Sequence, residues 1–99
     1  MAVYMILAVE VTDAEMFAEY AKQAPATVAQ YGGHYLVRGG DVTPLTGDWN
    51  PERVVVIEFP SMKRFNDWQT SPEYSAILPL REQSTKGKGI VVEGYDEAT

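Results

Sequence analysis

Val3-Tyr4-Met5-Ile6-Leu7-Ala8-Val9-Glu10-Val11 decides the architecture. The run is apolar at both parities and rich in β-branched residues, as a central strand covered on both faces requires. Arg53-Val54-Val55-Val56-Ile57-Glu58-Phe59 repeats that character. At a constant offset of 48 residues Val9 matches Ile57, Glu10 matches Glu58, Asp13 matches Ser61, Phe17 matches Phe65 and Tyr20 matches Trp68. This reads as a structural pseudo-repeat rather than an array, because only two copies are present.

Working outward, each strand leads into a helix signal. Thr12 with Glu15 fits a capping box, with Asp13 as the alternative cap. Phe17, Tyr20, Ala21, Ala24 and Val28 then follow helical spacing, and Pro25 predicts a kink or a division of that helix. Gly32-Gly33 ends it. His34 to Arg38 alternates as a strand and stops at Gly39-Gly40, which lacks the lysine and helix of a phosphate loop. Residues 41–52 read as a long loop or protruding hairpin with a turn at Asn50-Pro51. Ser61 caps a helix carrying Met62, Phe65 and Trp68, and Ser71 caps another that Pro79 interrupts. Ile90 to Glu93 forms the last strand, followed by a frayed acidic tail, Tyr95 to Thr99. The order βαββαβ gives a single domain over residues 1–99, an α+β ferredoxin-like sandwich with one antiparallel-mixed sheet. The first and third strands lie side by side in its centre.

Helices cover one face of such a sheet. Tyr4, Ile6, Ala8, Val54 and Val56 make the other face too apolar to stay wet, so it is expected to pack on a second copy of the chain, as a homodimer. Trp49, in a loop far from the core, is expected on that partner.

The chain has 99 residues, with 8 Lys and Arg against 14 Asp and Glu, and a net charge of −6. That balance argues against nucleic acid and anionic membrane as partners. The absence of cysteine removes disulfides, thiol catalysis and Cys-ligated zinc, and one histidine cannot form a multi-histidine metal site. No metal site or cofactor is therefore expected. Val3–Val9 is far shorter than the ~20 residues of a membrane span, and no cleavage signal follows it, so a cytoplasmic location is expected.

Strand parity sorts the polar residues. Glu10, Glu58, His34 and Arg38 fall on the face away from the helices, unless a one-residue bulge reverses part of it. Glu10 and Glu58 occupy equivalent positions of neighbouring strands read as parallel. Two close carboxylates would raise one pKa, as acid–base chemistry requires. The plainer reading pairs each with Arg38, Arg53 or Arg81. Arg38 is expected to meet Glu58 or Glu10 at a cavity edge. His34 is a base candidate by its near-neutral ordinary pKa, or simply a surface residue. Tyr35, Trp68 and Tyr74 are aromatic stripe residues, core in the plain reading and pocket walls in the functional one.

Tyr31-Gly32-Gly33-His34-Tyr35-Leu36-Val37-Arg38-Gly39-Gly40, Gly47-Asp48-Trp49-Asn50-Pro51-Glu52-Arg53, Glu58-Phe59-Pro60-Ser61 with Trp68, and Ser71-Pro72-Glu73-Tyr74 together resemble a family of small bacterial proteins of unknown function with the dimeric α+β barrel fold. Its fold relatives include cofactor-free antibiotic-biosynthesis monooxygenases and muconolactone isomerase. The resemblance implies the fold and the homodimer but no reaction. It makes Arg38, Glu58, Trp68 and Tyr74 the leading site residues, and nothing in the chain resembles a haem-binding signature. The expectation is a cofactor-free enzyme of monooxygenase or isomerase type acting on a small organic acid or aromatic metabolite. In it Glu58, His34 or Glu10 would move a proton, Arg38 would hold a carboxylate, and Tyr35, Trp68 and Tyr74 would bind the ring. The alternative is a non-catalytic small-molecule-binding or structural dimeric module.

Overall fold

The computed structural model describes residues 1–95, so residues 96–99 of the acidic tail lie outside the described residues. Eight elements follow in order: β1 (Val3–Val11), α1 (Ala14–Gln30), β2 (His34–Arg38), β3 (Arg53–Phe59), α2 (Met62–Gln69), α3 (Pro72–Ser75), α4 (Leu78–Ser84) and β4 (Thr85–Glu93). The strands form one sheet ordered β2-β3-β1-β4, with every neighbouring pair antiparallel. The central place of β1 and β3 agrees with their doubly apolar sequences. Val3, Met5, Val9, Val55, Ile57 and Phe59 are buried against the helices.

Local chemistry explains the helix boundaries. Asp13, not Thr12, caps α1 by accepting from the Met16 amide at 3.1 Å. Ser61 does the same for the Arg64 amide at 3.2 Å, so the pseudo-repeat extends to the caps. Gly32 takes φ +81°, and the Gly33 amide returns to the Val28 carbonyl at 2.9 Å to close α1. Gly33 is small for a packing reason: a Cβ there would lie 2.6 Å from Val28 Cγ1 and 2.8 Å from Phe59 Cε1.

Pro25 does not divide α1, which runs unbroken for 17 residues. A proline withholds the amide that would bond the carbonyl four residues earlier, here Ala21. Arg38 donates its Nη2 to that carbonyl at 2.5 Å, so the orphaned acceptor is satisfied from the sheet. The last strand starts at Thr85, five residues before the apolar run that predicts it, because β1 pairs with Lys86, Gly87, Lys88 and Gly89 as readily as with Ile90. Ladder hydrogen bonds need a partner backbone rather than apolar side chains. Residues 41–52 contain no strand and form the loop alternative.

Two register findings correct the parity reading. The pairing of β2 with β3 shifts between Tyr35 and Val37, so Leu36 is a bulge. Beyond it Val37 turns to the open face and Arg38 turns to the helices. The antiparallel pairing of β1 with β3 also separates the two glutamates. Glu58 lies opposite Tyr4, six positions along β1 from Glu10, a distance of ~20 Å. Leu7 faces Val55 directly, and these two are themselves equivalent in the pseudo-repeat. The local dyad therefore runs between them and sends Glu10 and Glu58 to opposite ends of the sheet.

Candidate functional site

The helical side of the sheet carries two neighbouring spaces. A cleft of about 650 Å³ opens between the β1–β4 half of the sheet and helices α2 and α4. Met5, Leu7 and Val9 form its floor, Met62 and Phe65 its apolar wall, and Asn66, Gln69, Arg81 and Glu82 its polar wall. Gly87 and Gly89 lie on the β4 side, where side chains would fill the space. A smaller cavity of about 20 Å³ lies beside it under α1 and shares Leu7, Val9 and Arg81 with it.

Three guanidiniums border the smaller cavity: Arg38, Arg53 and Arg81. Each is held differently. Arg38 bonds Ala21 O and lies 5.3 Å from the Tyr35 ring centroid. Arg53 stacks 5.1 Å from the Phe17 centroid, and a Cβ on Gly39 would lie 2.2 Å from its Nη1, so a side chain there would displace that head group. Arg81 donates to the Tyr74 hydroxyl at 3.0 Å. The expected contact of Arg38 with Glu58 or Glu10 is absent, because the bulge at Leu36 puts Arg38 on the other side of the sheet from both. Arg53 and Arg81 were legible only as partners for the glutamates. Arg53 shares the inward parity of Val55 and Ile57, which is the signal that could have placed it here.

Tyr74 and Trp68 are each 1% exposed and stack with centroids 4.0 Å apart. Phe59 and Phe65 complete this cluster at 5.2 and 6.0 Å from Trp68, and the indole nitrogen donates to Thr27 Oγ1 at 3.0 Å. Trp68 is thus core and lines neither space. The Tyr74 hydroxyl meets Tyr20 at 2.8 Å as well as Arg81, which links the core to the cavity. Tyr35 faces the cavity from β2.

Burial dominates the chemistry of these phenols. It pushes Tyr35 up to about 12 and raises Tyr20 and Tyr74 above the ordinary tyrosine range, with the Arg81 charge opposing it. All three stay neutral donors near pH 7. Below about pH 10 they are protonated in both folded and unfolded chains and add no pH dependence. Between pH 10 and about 12 the unfolded chain releases protons that the folded chain keeps, so stability falls as pH rises. Denaturation midpoints are expected to drop across that window, with tyrosinate absorbance of these residues appearing together with unfolding. Ionisation of all three at about pH 10 in an intact fold would contradict this.

Glu58 and His34 sit on the opposite, open face. His34, Glu58, Tyr4 and Val92 form one row across the four strands. The Tyr4 hydroxyl donates to Glu58 Oε2 at 2.9 Å, and this bond to a carboxylate raises the phenol's pKa. Glu10 stands at the far end, opposite Lys86. The structure therefore brings Glu58 and His34 together with Tyr4, and brings Arg38 and Tyr35 together with Arg53 and Arg81. It does not bring the proton-moving candidates to the ring-binding ones.

Several solved structures share this fold at low sequence identity. The RPA0582 protein of unknown function from Rhodopseudomonas palustris superposes with a TM-score of 0.79 at 20% identity, over 96% of this chain and 83% of that one. HapK from Hahella chejuensis gives 0.67 at 13% identity, over 94% and 92%. SnoaB, a cofactor-independent oxygenase from Streptomyces nogalater, gives 0.54 at 12%, over 96% and 92%. These likenesses show the ferredoxin-like fold shared with monooxygenase-type proteins. None of the curated proteins matches the chain in sequence. Over residues 2–95, nearly the whole length, the sequence carries the pattern of a domain of unknown function, DUF1330, and the chain belongs to that family.

Proposed function

We propose that this chain is a homodimeric small-molecule-handling protein that takes a compact organic ligand, aromatic or acidic, in the cleft between sheet and helices. The carrying observation is the cleft itself. About 650 Å³ of space with an apolar floor and four polar side chains on one wall is the size and chemistry of a metabolite site. The homodimer draws on the open face, where Leu36, Val37, Ile90 and Val92 are 38–61% exposed beside the half-buried Ile6, Ala8, Val54 and Val56. A contiguous face of this kind is self-complementary about a two-fold axis.

Aromatic fragments titrated into labelled protein are expected to shift the amides of Phe65, Asn66 and Gln69. Gln69→Trp, which fills the cleft from an exposed helical position, is expected to abolish those shifts with the melting temperature little changed. Shifts scattered over the surface, or unaffected by Gln69→Trp, would refute the cleft as the site. An enzymatic reading, cofactor-free oxygenation or isomerisation, draws on the fold likeness to SnoaB and on Glu82, a carboxylate in the wall of the same cleft. Turnover of a bound fragment by the natural protein and not by Glu82→Gln would favour it over simple binding. Equal turnover by both would exclude Glu82 as its base.

A further inference from the structure

Three of the chain's four arginines border one small cavity in a protein of net charge −6. The rest of the cavity lining is aliphatic and aromatic, with Phe17, Tyr20 and Tyr35 among it and no carboxylate. Among the described residues the one salt bridge is the surface pair Lys63–Asp67, so none of the three guanidiniums has an acidic partner. Arg53 is the sharpest case. Its Nε is buried with no hydrogen-bond partner, while its head group is wedged between the Phe17 ring and Gly39.

Gathering like charges in a partly desolvated place costs free energy unless something negative completes it. A buried polar group left unpaired adds a further penalty. The fold nevertheless preorganises these groups: two guanidiniums lie on aromatic faces, and the third is tied to a tyrosine pair. Guanidinium is a planar fork that matches the two oxygens of a carboxylate. The cavity has room for about 20 Å³, so only a small head group enters it and any larger body must lie outside it. It meets the larger cleft at Leu7, Val9 and Arg81.

We propose that Arg38, Arg53 and Arg81 form the receptor for the carboxylate of an organic acid whose apolar body lies in the adjoining cleft. This rests on the reading of that cleft as a ligand site and names the head group its ligand must carry. Arg53 supplies the unpaired Nε donor. Arg81 stands at the junction, where head and body meet. Arg38 keeps one donor on Ala21 and offers the rest of its fork.

Benzoate, benzamide and phenyl phosphate, followed through the arginine Nε–H and backbone amide signals of the intact protein, separate the outcomes. Benzoate is expected to move the Arg53 Nε–H signal and to bind about tenfold or more tighter than benzamide, as hydrogen bonds to a charged partner imply. Arg38→Gln, at an exposed edge position, is expected to remove most of that preference, and Arg53→Gln to remove the rest. Benzamide binding as tightly as benzoate, with shifts confined to Phe65, Asn66 and Gln69, would overturn the carboxylate receptor and leave the cleft reading standing. Phenyl phosphate binding more tightly than benzoate would overturn the choice of head group. A benzoate preference unchanged in both arginine variants would overturn the assignment of these residues. Failure of all three probes to move any cleft or arginine signal would overturn both readings.

Discussion

Trp68→Ala is expected to destabilise the protein by about 3–5 kcal/mol, the cost of truncating a fully buried aromatic. The indole is 1% exposed, stacks on Tyr74 at 4.0 Å and touches Phe59 and Phe65. Its removal also leaves Thr27 Oγ1 without the indole donor. For a domain of this size the loss is a large share of a total near 5–15 kcal/mol, so the variant should melt far below the natural chain. Trp49→Ala is the control. That side chain is 61% exposed in the loop after β2, and the folded protomer loses little when it goes. Chemical denaturation of both variants gives the comparison. Equal midpoints, with the same oligomeric state, would contradict the assignment of Trp68 to the core.

Ile90→Arg is expected to convert the protein from a dimer to a monomer without unfolding it. Ile90 is 61% exposed on the edge strand β4 and lies opposite Ile6, which in turn lies opposite Val56, in the row that crosses the open face. In the isolated protomer a solvated arginine there costs little, since exposed substitutions usually stay within about 0.5 kcal/mol. In a sheet-to-sheet dimer the two-fold axis brings two such charges into one apolar interface. Desolvating them weakens association by roughly 1,000-fold or more. Light scattering at micromolar concentration should show twice 11.0 kDa for the natural chain and 11.0 kDa for the variant, with matching circular dichroism. A natural chain that scatters as 11.0 kDa would refute the dimer.

The proposed carboxylate receptor and the proposed dimer face lie on opposite sides of the same four strands. This division follows from one extra residue in β2. Without the bulge at Leu36, alternation would put Arg38 on the open face opposite Val54, and any partner packed on that face would have to accommodate a guanidinium. With it, the open face keeps Val37 and the cavity gains a guanidinium. Pro25 and Arg38 are coupled through the same feature, because the bulge aims Arg38 at the carbonyl that the proline leaves free.

The sequence by itself determined the order of elements, the central place of β1 and β3, the residues of those two strands that face the helices, and the caps at Ser61 and Ser71. Those depend on side-chain periodicity and on hydrogen bonds between residues three apart, and both are written locally. The pseudo-repeat also foretold that Tyr20 and Trp68 would be buried alike. Only the tertiary structure decided which polar residues meet. Antiparallel pairing about the Leu7–Val55 dyad carried Glu10 and Glu58 apart, although their equivalence in sequence pointed to a shared site. The register shift in β2 moved Arg38 across the sheet, and the β1 backbone extended β4 through Gly87 and Gly89. Strand direction, register and bulges are set by hydrogen bonds to a distant partner strand. Side-chain period alone cannot encode them, since a shift of one residue reverses the face of every side chain beyond it.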